Sequence, residues 1–114
     1  MKTINNLAII PARGGSKGIK KKNLSKLNNK SLIEITALEI QKTKLFEKII
    51  LSSESQEILD HGLSIGIEII KRPKQISKDN SRSEDAVIHV LRRLSGKFNI
   101  KHVGLFQPTS PFRD

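Results

Sequence analysis

The chain has no cysteine, tyrosine or tryptophan among its 114 residues, and its aromatics are four phenylalanines. Without thiols there is no disulfide and no thiolate metal site, although that absence does not fix the redox compartment. Without tyrosine or tryptophan, an aromatic platform for stacking single-stranded bases is not expected. No run approaches the roughly 18 apolar residues of a membrane span, and Met1-Lys2-Thr3-Ile4-Asn5-Asn6 lacks the apolar core of about 7–15 residues that marks a signal peptide. The expectation is a soluble cytoplasmic protein with no membrane partner. Acids are missing from residues 1–33, where eight Lys and Arg precede Glu34, the first carboxylate. Hydrophobic residues at 36% and charged ones at 28% suit one compact globular domain.

The formal charge of +10 is concentrated on one segment. Leu7-Ala8-Ile9-Ile10 is a short apolar run ended by Pro11, after which the chain turns glycine-rich and cationic from Arg13 to Asn23. Gly14, Gly15 and Gly18 free the backbone to bring its N–H groups close to a ligand, while Arg13, Lys17 and Lys20 to Lys22 supply positive charge. Backbone donors with cations suit a polyphosphate. Two better-known phosphate motifs fail: the Walker loop needs four residues between its first glycine and Gly-Lys-Ser/Thr, and the dinucleotide Gly-x-Gly-x-x-Gly is absent. Nucleic acid is the rival partner for a basic chain, yet there is no zinc-finger spacing and the cations gather on a loop instead of lining a recognition helix, so nucleic-acid binding is not expected.

Strand and helix signals alternate. Leu7–Ile10 reads as a buried parallel strand. Ser31 and Glu34 have capping-box spacing before a helix to about Lys44, with Ile33, Ala37 and Ile40 on one face. Lys48–Ser52 is a second strand, and Ser53 is the expected cap of a helix from about Glu54 to Ser64, ended by Gly66. Ile67–Ile70 is a third strand. Val87, Val90, Leu91 and Leu94 recur at i, i+3, i+4 and i+7, predicting a helix that starts near Ser81 and closes at Gly96, before a fourth strand from His102 to Phe106. The alternation predicts an α/β fold: a Rossmann-like, mainly parallel sheet with helices on both faces and ligand-binding loops at the carboxyl ends of its strands.

Three stretches carry a family resemblance. Pro11-Ala12-Arg13-Gly14-Gly15-Ser16-Lys17-Gly18 with Lys22-Asn23-Leu24, then Arg72-Pro73 with Asp79, then Gln107-Pro108-Thr109-Ser110-Pro111-Phe112-Arg113 together resemble the signature of the acylneuraminate cytidylyltransferases, the CMP-sialic acid synthetases. The resemblance implies a nucleotide-diphospho-sugar transferase-like fold in which residues 1–114 are the nucleotide-binding part, with a carboxyl-terminal half to follow and the fourth strand near the centre of the complete sheet. It implies CTP and an acidic nine-carbon 2-keto sugar as substrates, with sialic, legionaminic and pseudaminic acids left open, and pyrophosphate as the leaving group. A catalytically inactive nucleotide-binding piece is the alternative.

By the same resemblance, Arg13 and Lys22 are the catalytic residues, binding the triphosphate and stabilising the α-phosphate with its leaving group. Ala12, Arg13, Gly14, Gly15, Ser16, Lys17, Asn23, Arg72 and Ser83 are nucleotide-binding positions, and Gln107, Thr109 and Ser110 are sugar-binding ones. Thr109 and Ser110 serve equally well to complete a turn. Arg113 would pair with the sugar carboxylate or form a structural ion pair. Glu54 stands where many relatives have Asp. Magnesium is implied as cofactor, with ligands expected beyond residue 114, as is a homodimer of the full-length enzyme. His61, His89 and His102 lack companions at ligand spacing, so no metal ligand is expected here.

Overall fold

A computed structural model describes residues 1–12, 26–27, 30–73 and 83–108. Strand β1 (Lys2–Pro11) leads to a short antiparallel pair, β2 (Lys26–Leu27) and β3 (Lys30–Ser31), and then to helix α1 (Leu32–Thr43). Strand β4 (Lys48–Ser53), helix α2 (Gln56–Ser64), strand β5 (Glu68–Lys71), helix α3 (Ser83–Leu94) and strand β6 (Phe98–Leu105) follow. The main sheet has four strands in the order β5-β4-β1-β6, and every pairing in it is parallel.

The alternation of buried side chains along β1 explains the two layers. Ala8 and Ile10 face one way and pack with Ile33, Ala37 and Ile40 of α1, Ile58 of α2, and Leu51. Leu7 and Ile9 face the other way and meet Ile50, Val90 and Leu94, with Val87 and Leu91 beside them, so α3 covers that face. Leu7 to Ile10 are all fully buried, the pattern of a strand sandwiched by helices, and each such aliphatic side chain contributes about 1.5–3 kcal/mol by leaving water. Helices α1 and α2 accompany the steps β1 to β4 to β5, and α3 accompanies the return past β1 to β6. Right-handed crossovers require this distribution once the chain reverses its direction across the sheet.

The element ends follow local chemistry. Ser31 Oγ accepts the Glu34 N–H at 3.0 Å, capping α1 as its spacing predicts. Thr36 is buried on α1 because its hydroxyl donates to the Leu32 carbonyl at 2.8 Å. The cap of α2 differs from expectation: it is Ser55, whose Oγ accepts from the Ile58 N–H at 3.4 Å, while the strand runs on through Ser53. Ser53 Oγ instead accepts the Ser55 N–H at 3.1 Å, forming the turn that leads to the helix. Ser81, the other expected cap, lies outside the described residues.

The first and last strands are longer than their apolar runs suggest. The mostly polar Lys2–Asn6, in which Ile4 alone is a buried apolar side chain, belongs to β1 because its backbone pairs with Phe98–His102 of β6. The β1–β4 ladder begins at Leu7 opposite Lys48, and short of it the Glu47 carboxylate accepts from the Asn5 and Asn6 N–H groups at 3.0 and 2.7 Å. Strand β6 is an edge of the described sheet, and Val103 and Leu105 on it are exposed. Among the described residues no helix is long and apolar enough to cross a membrane.

Candidate functional site

The strand order contains a switch point. From β1 the chain steps to β4 and β5 on one side and then crosses to β6 on the other, so the strand order reverses beside β1, the place where open α/β sheets bind ligands at the carboxyl ends of their strands. Ala12, the last described residue before the glycine-rich segment, follows β1 there, and Gln107 follows β6. Both ends are held by main-chain bonds that prolong the ladders: Ala12 N–H donates to the Ser52 carbonyl at 2.9 Å, and Phe106 N–H donates to the Ile9 carbonyl at 2.9 Å. Gln107 is exposed at this rim, whereas Ala12 is buried beneath it.

Arg72 comes to the same rim from β5. Its N–H donates to the Ser53 carbonyl at 3.0 Å, continuing the β4–β5 ladder one step past Lys71. The side chain is only 4% exposed, and Nη1 donates to Ser52 Oγ at 3.5 Å. Alternation from Ile70 puts Arg72 on the face that α3 covers, and alternation from Ile50 puts Ser52 there too. His89 of α3 senses this cation. Its imidazole is held below its ordinary value of 6.5, first by burial, then by Arg93 and Arg72, and its Nδ1 is buried with no hydrogen-bond partner among the described residues.

Of the residues expected to bind nucleotide, Ala12 and Arg72 are therefore placed at neighbouring loop ends on one rim, and Ser83 is the first residue of α3. Arg13, Gly14, Gly15, Ser16, Lys17, Lys22 and Asn23 lie outside the described residues, as do Thr109 and Ser110 of the sugar-binding set. Sequence reasoning passed over Ser52, whose carbonyl holds Ala12 and whose hydroxyl meets Arg72. The available signal was a serine at the end of a strand that is otherwise buried and aliphatic. Among the described residues no cluster of three or more His, Cys, Asp or Glu is placed to hold a metal ion.

A parallel sheet with a glycine-rich, cationic connection at its switch point defines an α/β protein of the nucleotide-binding type. A cytidylyltransferase family model matches residues 7–113, and the chain belongs to that family. It is 35% identical over 108 residues to the N-acylneuraminate cytidylyltransferase of Escherichia coli, a match covering 95% of this chain and 25% of the relative. It is 36% identical over 110 residues to a pseudaminic acid cytidylyltransferase of Campylobacter jejuni, covering 95% of this chain and 47% of the relative. The CMP-N,N'-diacetyllegionaminic acid synthase of Legionella pneumophila is 37% identical over 112 residues, covering 94% and 47%. The chain thus spans from a quarter to about half of these relatives. Among solved structures, a CMP:2-keto-3-deoxy-manno-octonic acid synthetase complexed with CTP shares the fold, with a TM-score of 0.66 and 16% identity over 86% of this chain and 39% of that one.

Proposed function

We propose that this chain is the nucleotide-binding part of a cytidylyltransferase that activates a nine-carbon 2-keto sugar acid, N-acetylneuraminate first among the candidates, as its CMP derivative. The observation that carries the reading is that β1 and β6, which lead in sequence into Arg13–Asn23 and Gln107–Arg113, pair side by side and end at one rim with Ala12 and Gln107. In the reaction the anomeric hydroxyl oxygen of the sugar bonds to the α-phosphorus of CTP as the bond from that phosphorus to the bridging oxygen breaks. Pyrophosphate departs with the electron pair, and the hydroxyl proton passes to solvent. No covalent enzyme intermediate is needed, so rate enhancement comes from alignment and from stabilising charge on the leaving group.

In this reading Arg13 binds the triphosphate, Lys17 helps hold it, and Lys22 stabilises the α-phosphate and departing pyrophosphate. Gly14, Gly15 and Ser16 present backbone donors. Asn23 and Arg72 hold ribose and cytosine with Ser83 at the base, and Gln107, Thr109 and Ser110 receive the sugar. The protein works in the cytoplasm, as a homodimer in its full-length form, with magnesium supplied by ligands outside the described residues. The second reading is a nucleotide-binding piece without turnover.

Pyrophosphate release with CTP, magnesium and each of N-acetylneuraminate, pseudaminic acid and legionaminic acid separates the two. Release that Arg13→Ala abolishes establishes the transferase, and the acid giving the largest kcat/KM names the substrate. CTP binding without release establishes the second reading, and absence of both overturns the nucleotide assignment.

A further inference from the structure

Ser52 is out of place in its strand. Ile50 and Leu51 before it are buried aliphatics, yet Ser52 puts a hydroxyl at 0% exposure where a β-branched apolar side chain would pack and favour the strand. A buried hydroxyl is costly unless it is hydrogen-bonded, so its partner indicates why it is tolerated. That partner is a cation: Arg72 Nη1 donates to Ser52 Oγ across 3.5 Å, a long bond between two buried groups.

The backbone of the same short stretch holds the two flanking connections. The Ser52 carbonyl accepts from Ala12 N–H and the Ser53 carbonyl from Arg72 N–H, at 2.9 and 3.0 Å. The end of β4 therefore clamps the exits of β1 and β5 together, and the Ser52 hydroxyl accepts a side-chain bond from the Arg72 guanidinium.

We propose that Ser52 is a positioning residue of the nucleotide site, acting through Arg72: its hydroxyl fixes the guanidinium at the rim beside the exit of β1, where a nucleobase or its sugar is to be met. The inference rests on the nucleotide reading of Arg72 given above. A serine that merely fills space would affect folding and leave the Arg72 contribution intact.

The test is a double-mutant cycle on CTP affinity, measured by titration calorimetry on the 114-residue chain well below each variant's melting temperature. Ser52→Ala is expected to weaken CTP binding about three- to ten-fold, the effect of one ordinary hydrogen bond, in keeping with the 3.5 Å length. Combined with Arg72→Ala it should add almost nothing to the loss from Arg72→Ala alone. Ser52→Cys, close to isosteric with a weakly accepting sulfur, is expected to behave like Ser52→Ala and takes its place should the alanine variant fail to fold. Losses that multiply, or full affinity in the Ser52 variants while Arg72→Ala binds weakly, would overturn the positioning role and leave the nucleotide reading standing. Unchanged affinity in Arg72→Ala, or no CTP binding by the unsubstituted chain, would overturn the nucleotide reading of Arg72 and this inference with it.

Discussion

At Gly104 an added Cβ would lie 2.8 Å from Phe106 Cε2 and 3.0 Å from Phe46 Cε1, closer than carbon atoms tolerate. These two rings meet edge to face, with centroids 5.3 Å apart, and Phe106 is the residue before Gln107. Gly104→Ala should therefore cost about 1–3 kcal/mol of stability by overpacking, read by urea denaturation. If Gln107 binds sugar, the same change should raise the sugar KM more than the CTP KM, because the displaced ring carries Gln107 with it. Glu47 offers a prediction in pH. Its carboxylate sits below its ordinary value of 4.5, chiefly through the Asn6 N–H and then the Asn5 N–H that it accepts. A depressed folded value means stabilisation that is present above the unfolded carboxylate range and lost as pH falls through the folded value. Glu47→Gln should accordingly flatten the acid limb of a plot of melting temperature against pH and leave the limb above neutrality unchanged. Neither residue was legible in the sequence. Gly104 sits in an unremarkable strand run, and Glu47 acts on amides about forty positions away.

Helix α2 shows which features of an element are local and which are not. Its end was readable from Gly66, which adopts φ 85° after the last turn, but its cap, and with it the start, was misplaced by two residues. Ser53, Ser55 and the residues after them offer more than one serine at capping distance, and the choice is made by the β4–β5 ladder, which keeps Ser53 extended opposite Lys71. Gly62 looks like a weakness in the middle of this helix. It is instead the contact that lets α2 lie close on the sheet: a Cβ there would stand 2.5 Å from Leu51 Cδ2 and 3.1 Å from Ile69 Cγ2. Gly62→Ala therefore sets a helix-propensity gain of about 1 kcal/mol against an overpacking cost of about 1–3 kcal/mol. The cost should prevail, since Leu51 is fully buried and has nowhere to move. A melting temperature above that of the unsubstituted chain would show that the packing of α2 is looser than these distances imply. By contrast, α1 was legible throughout, because its cap and its apolar stripe are both set within a single stretch of sequence.

Across the whole molecule, the alternation of strands and helices was legible while the strand order was not. Nothing in the local pattern of β6 distinguishes pairing with β5 from pairing with β1, and the switch point depends on that choice. Two opposed terms follow from the observed order. Among the described residues no strand pairs with the outer edge of β6, and Val103 and Leu105 on it are exposed, a combination that invites association between edges. A formal charge of +10 on 114 residues opposes association by long-range repulsion. Repulsion between exposed charges fades as the Debye length falls from about 30 Å at 0.01 M salt to about 3 Å at 1 M, whereas apolar burial and main-chain pairing persist. The isolated chain should thus sediment as a monomer at low ionic strength and associate as salt is raised. Val103→Lys should suppress that association by placing charge on the edge strand itself. Association that instead weakens with salt would mean that ion pairing drives it, and that β6 is not the surface through which the molecules meet.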